Sequence, residues 1–337
     1  MISDMRLIGK RVIESLPRAR QRLLQHRVFD GAASISDGIA AFTERWGPGQ
    51  PREDAPIFLL SAGWRSGSAL TQQLVTSSGQ AFLWGEPYHE CAYVQRMADS
   101  VRAFGNALPS DGMFHHPHAR VNGGAAVNGH GAARANGAVN GNGKGRGITG
   151  RIDFVFPAAE HLLAAHRAFF DRLLAQPALD GGYERWGFRA VRLSTEHARY
   201  LRWLYPNARL VLQIRNPYKA YRVYRRTRGL YGRSAHQPVL SAEQFGACWL
   251  DLAGGFARDH QDIDARLVRF EALVARDGAL LDDLSDYLGV PIERKELTRT
   301  LREEQWPLQA IPSGELESLR RAVEPLASEL GYEPTRG

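Results

Sequence analysis

The chain has 337 residues, 44% hydrophobic and 23% charged, enough to bury a full core in one large domain or two small ones. Its 43 basic and 36 acidic residues leave a formal net charge of +7, which favours anionic ligands; the arginines are scattered, with no basic block, so no nucleic-acid partner is expected. The two cysteines, Cys91 and Cys248, are far apart, which argues against a disulfide scaffold or a zinc site, reads both as packing residues and suits a reducing, cytoplasmic compartment.

Residues 1–50 read as an N-terminal helical extension that ends at Gly47, Pro48 and Gly49. The first residues lack the apolar stretch and cleavage site of a secretory signal, and no segment approaches the roughly 18 apolar residues of a membrane span. Residues 6–27 are basic and amphipathic, which predicts a helix packed on the domain, with weak membrane-surface contact as the alternative. Residues 51–337 read as one α/β domain, opening with a strand over Pro56–Leu60.

A tight loop follows that strand, with Arg65, Ser66, Gly67 and Ser68, and a helix is predicted from Ala69, where Leu70 and Leu74 lie one turn apart. Strand, loop and helix aim backbone N–H groups and the positive end of a helix dipole at one point, which cradles a phosphate-like anion. The candidate anion site is therefore Arg65, Ser66, Gly67, Ser68 and Ala69. No lysine follows Gly67, so the loop is not a Walker A motif and its magnesium-and-lysine machinery is unsupported. Trp64, inside the loop, is a candidate to stack on an adenine or an acceptor ring.

A second strand is predicted over Ala81–Trp84 after the turn at Ser78 and Gly79, then a helix over 88–105. Glu86 lies in the loop after that strand, where it faces the same cleft as the anion loop and can serve as a general base; His89 is the runner-up. His115, His116 and His118 lack carboxylate or cysteine partners at ligand spacing and read as solvated, so no metal is expected. Residues 119–147 are rich in Gly, Asn and Ala without an apolar period and read as a flexible insert.

Further on, helices are predicted over 158–176 and 195–204, strands over Gly187–Val191, Arg209–Ile214 and Arg266–Phe270, and a helix from about 217. Ser241 and Gln244 form a capping-box signature for a helix running to about 260, and helices fill the remainder. Strands alternating with helices predict an α/β domain with a largely parallel sheet, whose ligands sit at the carboxyl ends of the strands.

Several segments in order resemble the sulfotransferase superfamily that uses 3′-phosphoadenosine 5′-phosphosulfate (PAPS). The anion loop is similar to its basic–[ST]–G–[ST] loop. Residues 84–87 (WGEP) resemble the G-E-P segment of bacterial and Golgi-type members, and 186–189 (WGFR) their W-G-x-K segment with arginine for lysine. Residues 204–217 (LYPNARLVLQIRNP) resemble the family's 3′-phosphate segment, and 269–274 (RFEALV) and 287–291 (YLGVP) its last two motifs. The resemblance covers roughly residues 56–332 apart from the insert.

It implies a P-loop-like three-layer fold with a central, mostly parallel sheet flanked by helices. It implies PAPS as co-substrate without a metal, a hydroxyl acceptor on a carbohydrate, lipid or secondary metabolite, and adenosine 3′,5′-bisphosphate as product. Arg65 and the loop amides would hold the 5′-phosphosulfate, Arg189 would reach the sulfuryl oxygens with Arg192 as competitor, Arg215 would bind the 3′-phosphate, and Glu86 would be the base. One position departs: the family's 3′-phosphate serine, eight residues after that arginine, is Val223 here, with Arg222, Tyr224 or Arg225 as stand-ins. A non-catalytic nucleotide- or glycan-binding relative, an atypical nucleotide-dependent kinase and a scaffold whose insert recruits partners remain open.

Overall fold

The computed structural model describes residues 33–49, 52–86, 91–105, 114–115, 156–231, 239–292, 310–324 and 326–334. Helix α1 (Ile35–Trp46) leads into strand β1 (Ile57–Ser61), helix α2 (Ser68–Thr76), strand β2 (Ala81–Trp84) and helix α3 (Tyr93–Val101). The short parallel strands β3 (Phe114–His115) and β4 (Phe156–Pro157) pair with each other, ahead of α4 (Ala159–Phe170) and α5 (Gln176–Asp180). Next come β5 (Arg185–Ala190), α6 (Thr195–Leu204), β6 (Arg209–Ile214), α7 (Pro217–Tyr231), α8 (Ala242–Asp259) and β7 (Ala265–Arg269). The short α9 (Phe270–Val274), α10 (Gly278–Leu288), α11 (Ser313–Val323) and α12 (Leu326–Glu329) complete the described elements.

The five-stranded sheet runs in the order β2-β5-β1-β6-β7, and every neighbouring pair is parallel. The chain leaves β1 for β2 on one side and returns through β5 to β6 on the other. That reversal opens a crevice over the carboxyl end of β1, the place where open α/β sheets bind ligands.

Every residue of β1 is buried, because helices cover both faces of the sheet. Phe58 and Leu60 point into the larger core cluster, with Phe42 of α1, Leu163 of α4, Leu201 of α6 and Phe256 of α8. Ile57 and Leu59 point the other way, against Leu70 and Leu74 of α2 and Leu281 and Leu284 of α10. The period of two along one strand thus fills two cores and makes the three layers. Helix α1 joins the larger core through Phe42, whose ring meets Trp203 and Phe104 edge-on at 5.0 and 5.2 Å. In β5, Gly187 lies opposite Ile57, and a Cβ there would run into the Ile57 backbone.

The structure adjusts several expected boundaries. The helix expected over 88–105 begins at Tyr93, after Ala92 takes a left-handed φ of 48°, and ends in a 3-10 turn at Arg102–Gly105. The helix expected over 158–176 widens into a π-helical turn at Asp171–Ala175; Pro177 follows and has no N–H to give back. Strand β5 starts two residues earlier than expected, at Arg185, and ends at Ala190. Ser241 accepts a bond from the Gln244 N–H at 3.1 Å, but the Gln244 amide oxygen takes the Leu240 N–H at 2.6 Å, so the expected reciprocal box is shifted by one residue. Cys91 is exposed and therefore not the packing residue expected, whereas Cys248 is half-buried and burial pushes its thiol up to about 12. Residues 6–27 and the 119–147 insert lie outside the described residues.

Candidate active site

The anion loop is stapled to both neighbouring strands. The Ala62 N–H donates to the Gln213 carbonyl at 2.9 Å, and the Gly63 N–H to the carbonyls of Ser61 and Val191 at 2.8 and 3.0 Å. The backbone turns left-handed at Gly63, Arg65 and Gly67, with φ of 83°, 59° and 84°. Gly67 is the N-cap of α2, and a Cβ there would strike the Phe270 ring. No side chain of the described residues caps α2, so its N-terminal dipole is open to a negative ligand.

Beneath the loop, the fully buried Gln213 side chain donates to the Ser66 carbonyl at 2.8 Å and accepts from the Thr71 hydroxyl at 2.6 Å. The Ser66 hydroxyl is buried and has no partner among the described residues. An orphaned hydroxyl in a left-handed loop at an uncapped helix start fits an anionic group in the loop. Ser68 begins α2 and Ala69 follows, exposed on its first turn.

On the β5 side, Arg189 gathers the loop and the acid. Its guanidinium pairs with the Glu86 carboxylate at 3.2 Å and reaches the Ser68 hydroxyl at 3.4 Å. Its Nε donates to the Gln72 amide oxygen at 2.8 Å, and Gln72 in turn donates to the Leu83 carbonyl at 2.7 Å. Both charged side chains are largely withdrawn from water, 20% and 18% exposed for Arg189 and Glu86. Gln72 escaped the sequence reading, because a glutamine on a helix carries no local sign that its amide will brace a cation.

On the β6 side, Arg65 Nε donates to the Thr227 hydroxyl at 3.2 Å, while Arg215 donates to the Arg65 carbonyl at 2.9 Å and lies 4.2 Å from the centre of the Phe270 ring. Asn216 caps α7, its side-chain oxygen accepting from the N–H groups of Tyr218 and Lys219 at 3.0 and 3.1 Å. Glu271 accepts the Asn216 N–H at 2.9 Å and ties β6 to the start of α9.

Of the stand-ins for the missing serine, Tyr224 is buried and donates to the Val239 carbonyl at 2.7 Å, and Arg225 is paired with Glu315 at 2.6 Å. The hydroxyl that reaches the site from α7 is Thr227, one turn beyond Val223 and also missed by sequence reasoning. The signal available was its i,i+4 spacing from Val223.

Trp64 is 3% exposed and packs on Tyr224 at 5.6 Å, so it is not a free stacking platform. The loop turns this large apolar residue inward, where its area counts most. The Arg192 guanidinium lies over the Trp64 ring at 5.3 Å and lines a pocket that also contains Glu86. Arg192 is thus brought beside the acid, although Arg189 makes the ion pair. Pro87 and His89 lie outside the described residues, as do the side chains of His115, His116 and His118.

A family model described as "Sulfotransferase family" matches residues 56–294. No curated protein matches the chain. Among solved structures, a sulfotransferase domain from the curacin biosynthetic pathway is 14% identical, covers 84% of this chain and 100% of its own, and has a TM-score of 0.39. The sulfotransferase domain of the Synechococcus PCC 7002 olefin synthase is 13% identical over 83% of this chain and 98% of its own, also with a TM-score of 0.39. Sulfotransferase STF9 from Mycobacterium avium is 12% identical over 94% of this chain and 87% of its own, with a TM-score of 0.38.

Proposed function

The chain belongs to the sulfotransferase family, and from that premise we propose that it moves a sulfuryl group from PAPS to a hydroxyl acceptor on a carbohydrate, lipid or secondary metabolite. The observation that carries this reading is the convergence on one loop of Arg65 and Arg215 from one side and the Glu86–Arg189 pair from the other.

Sulfuryl transfer needs the acceptor oxygen, the sulfur and the leaving phosphate in line, with charge neutralised on the moving group. The Arg65 guanidinium and the amides of Ser66 to Ala69 would hold the 5′-phosphosulfate and stabilise the leaving phosphate. Arg215 would hold the 3′-phosphate, with Thr227 supplying the α7 hydroxyl that Val223 lacks. Glu86 would take the acceptor proton as the oxygen–sulfur bond forms and the bond from sulfur to the bridging phosphate oxygen breaks. Arg189, which holds Glu86 and touches Ser68, would place that base beside the moving group. The products are the sulfated acceptor and adenosine 3′,5′-bisphosphate, and no step calls on a metal.

The reading extends to a cytoplasmic protein with residues 51–337 as one catalytic domain, into whose core helix α1 packs, and with the 119–147 insert as an addition. No helix among the described residues is long and apolar enough to cross a membrane.

Calorimetric titration with adenosine 3′,5′-bisphosphate, 5′-AMP and ATP, on wild type and Arg215→Ala, tests the proposal. Tight binding that requires the 3′-phosphate and collapses in the variant is the expected result. Equal weak binding of all three would overturn it. The second reading, a binding-only relative, is favoured by Val223 alone; it expects bisphosphate binding without any sulfated product.

A further inference from the structure

Two residues at the end of β6 reach the anion loop and hold its carbonyls. Gln213 shares with Val211 the face of β6 that meets α2, and Arg215 follows two residues on. The Gln213 side-chain amide donates to the Ser66 carbonyl at 2.8 Å and Arg215 to the Arg65 carbonyl at 2.9 Å, so two successive carbonyls are pinned towards β6. A trans peptide points its N–H opposite its carbonyl. The N–H groups of Ser66 and Gly67 therefore point away from β6, and neither has a partner among the described residues. The backbone φ is positive at Arg65 and Gly67 but not at Ser66, the alternation that gathers successive N–H groups into an anion-binding hollow.

Glycine takes either sign of φ at little cost, so a peptide ending at Gly67 can turn over and present its carbonyl to the ligand instead. We propose that Gln213 is the positioning residue that prevents this: oriented by Thr71, it locks the Ser66–Gly67 peptide with its N–H towards the 5′-phosphosulfate. The inference rests on the sulfuryl-transfer reading above. Ser66, Thr71 and Gln213 are each at most 1% exposed. A carbonyl only accepts, so the amide nitrogen of Gln213 must face Ser66. Its oxygen then faces Thr71, whose hydroxyl donates to it at 2.6 Å. Both ends of the amide are committed away from water, where a broken hydrogen bond costs most. Arg215 holds the preceding peptide in the same way, so the strand end that would bind the 3′-phosphate also sets the floor of the 5′ site.

The test reads this one peptide by magnetic resonance. Isotopic labelling of the serine carbonyl carbon and the glycine nitrogen selects Ser–Gly peptides, of which the chain has three: Ser66–Gly67, Ser78–Gly79 and Ser313–Gly314. Ser78→Ala and Ser313→Ala identify the other two signals. The protein is titrated with adenosine 3′,5′-bisphosphate and with adenosine 3′-monophosphate, which lacks the 5′ group, as wild type, Gln213→Met and Thr71→Val, with affinities from calorimetry. In wild type the Gly67 amide proton should move downfield with the bisphosphate and stay in place with the monophosphate. Gln213→Met should abolish that shift and weaken the bisphosphate about tenfold or more, while the monophosphate changes less than about twofold. Thr71→Val keeps the amide, removes the bond that orients it, and should weaken the bisphosphate alone by about threefold, which keeps the test decisive where Gln213→Met impairs folding. Equal weakening of both nucleotides, unchanged affinities in the variants, or a Gly67 signal that ignores the bisphosphate in wild type would overturn the inference. Failure of wild type to bind the bisphosphate would instead sink the sulfuryl-transfer reading. Titration with inorganic sulfate would then decide, on the same signal, whether this peptide faces an anion.

Discussion

Two arginines approach the loop after β1 from opposite sides, and they are held by different chemistry. Arg189 is held by a carboxylate, Glu86, and by the Gln72 amide. Arg215 is held by a backbone carbonyl and an aromatic face. The difference decides what a substitution means. Removing Arg189 strands a carboxylate that is mostly out of water, so cation and acid fail together. Removing Arg215 takes a cation from a carbonyl and a ring, so its loss reads more directly as lost ligand affinity. On the proposed reading the first side would place an acid and the second would attract an anion.

The largest effect is expected on the acid side. Glu86→Gln should lower kcat about 100- to 10,000-fold while leaving bisphosphate affinity within about twofold, measured by product formation and calorimetry in parallel. A cycle of Glu86→Gln and Arg189→Met should give a coupling energy of about 0.5–3 kcal/mol in stability, and additive losses would break the comparison. On the anion side, Arg215→Ala should weaken bisphosphate binding about 100-fold, roughly 3 kcal/mol, with a melting temperature close to wild type. A large drop in melting temperature would mean that the arginine is structural.

Stability has its own pH dependence, which must be separated from that of activity. His166 is buried, accepts or donates at 2.9 Å with the Tyr200 hydroxyl, and desolvation lowers its pKa from 6.5 to about 4. The unfolded chain therefore binds a proton that the folded chain refuses between those values. Stability contributed by the neutral ring is present above pH 6.5 and falls as pH drops towards about 4, by on the order of 3 kcal/mol once pH is below both values. Urea unfolding at about pH 7 and about pH 5 should show this loss in wild type and a smaller one in His166→Gln. The smallest effect belongs to the α7 hydroxyl. Thr227→Val keeps the shape, removes the hydroxyl to which Arg65 Nε donates, and should cost about 1 kcal/mol of affinity for adenosine 3′,5′-bisphosphate, with unchanged binding counting against its role.

The strands and the loop were legible because their signals are local. Apolar runs marked β1 and β6, and Arg65, Ser66, Gly67 and Ser68 between a strand and a helix marked the anion loop. The residues that hold the site together were not legible. Gln72, Gln213 and Thr227 are ordinary polar residues in their elements, and the bonds that tie them to Leu83, Ser66 and Arg65 span from 11 to 162 positions. Gln213 carried one usable hint, an amide in an otherwise apolar buried strand, which must find a partner. Trp64 was misjudged for the same reason. Its burial depends on Tyr224, far along the chain, and a tryptophan in a polar loop is as consistent with inward packing as with a stacking surface.

Strand β1 is paired on both edges and covered on both faces, and the loop it feeds is anchored to the same two neighbours. Such a segment opens only when the whole sheet does. Amide protons of residues 57–63 should therefore be among the slowest to exchange with solvent, at rates governed by global unfolding rather than by local breathing. An anion arriving at this loop would find its cradle already rigid, and would lose little affinity to ordering it.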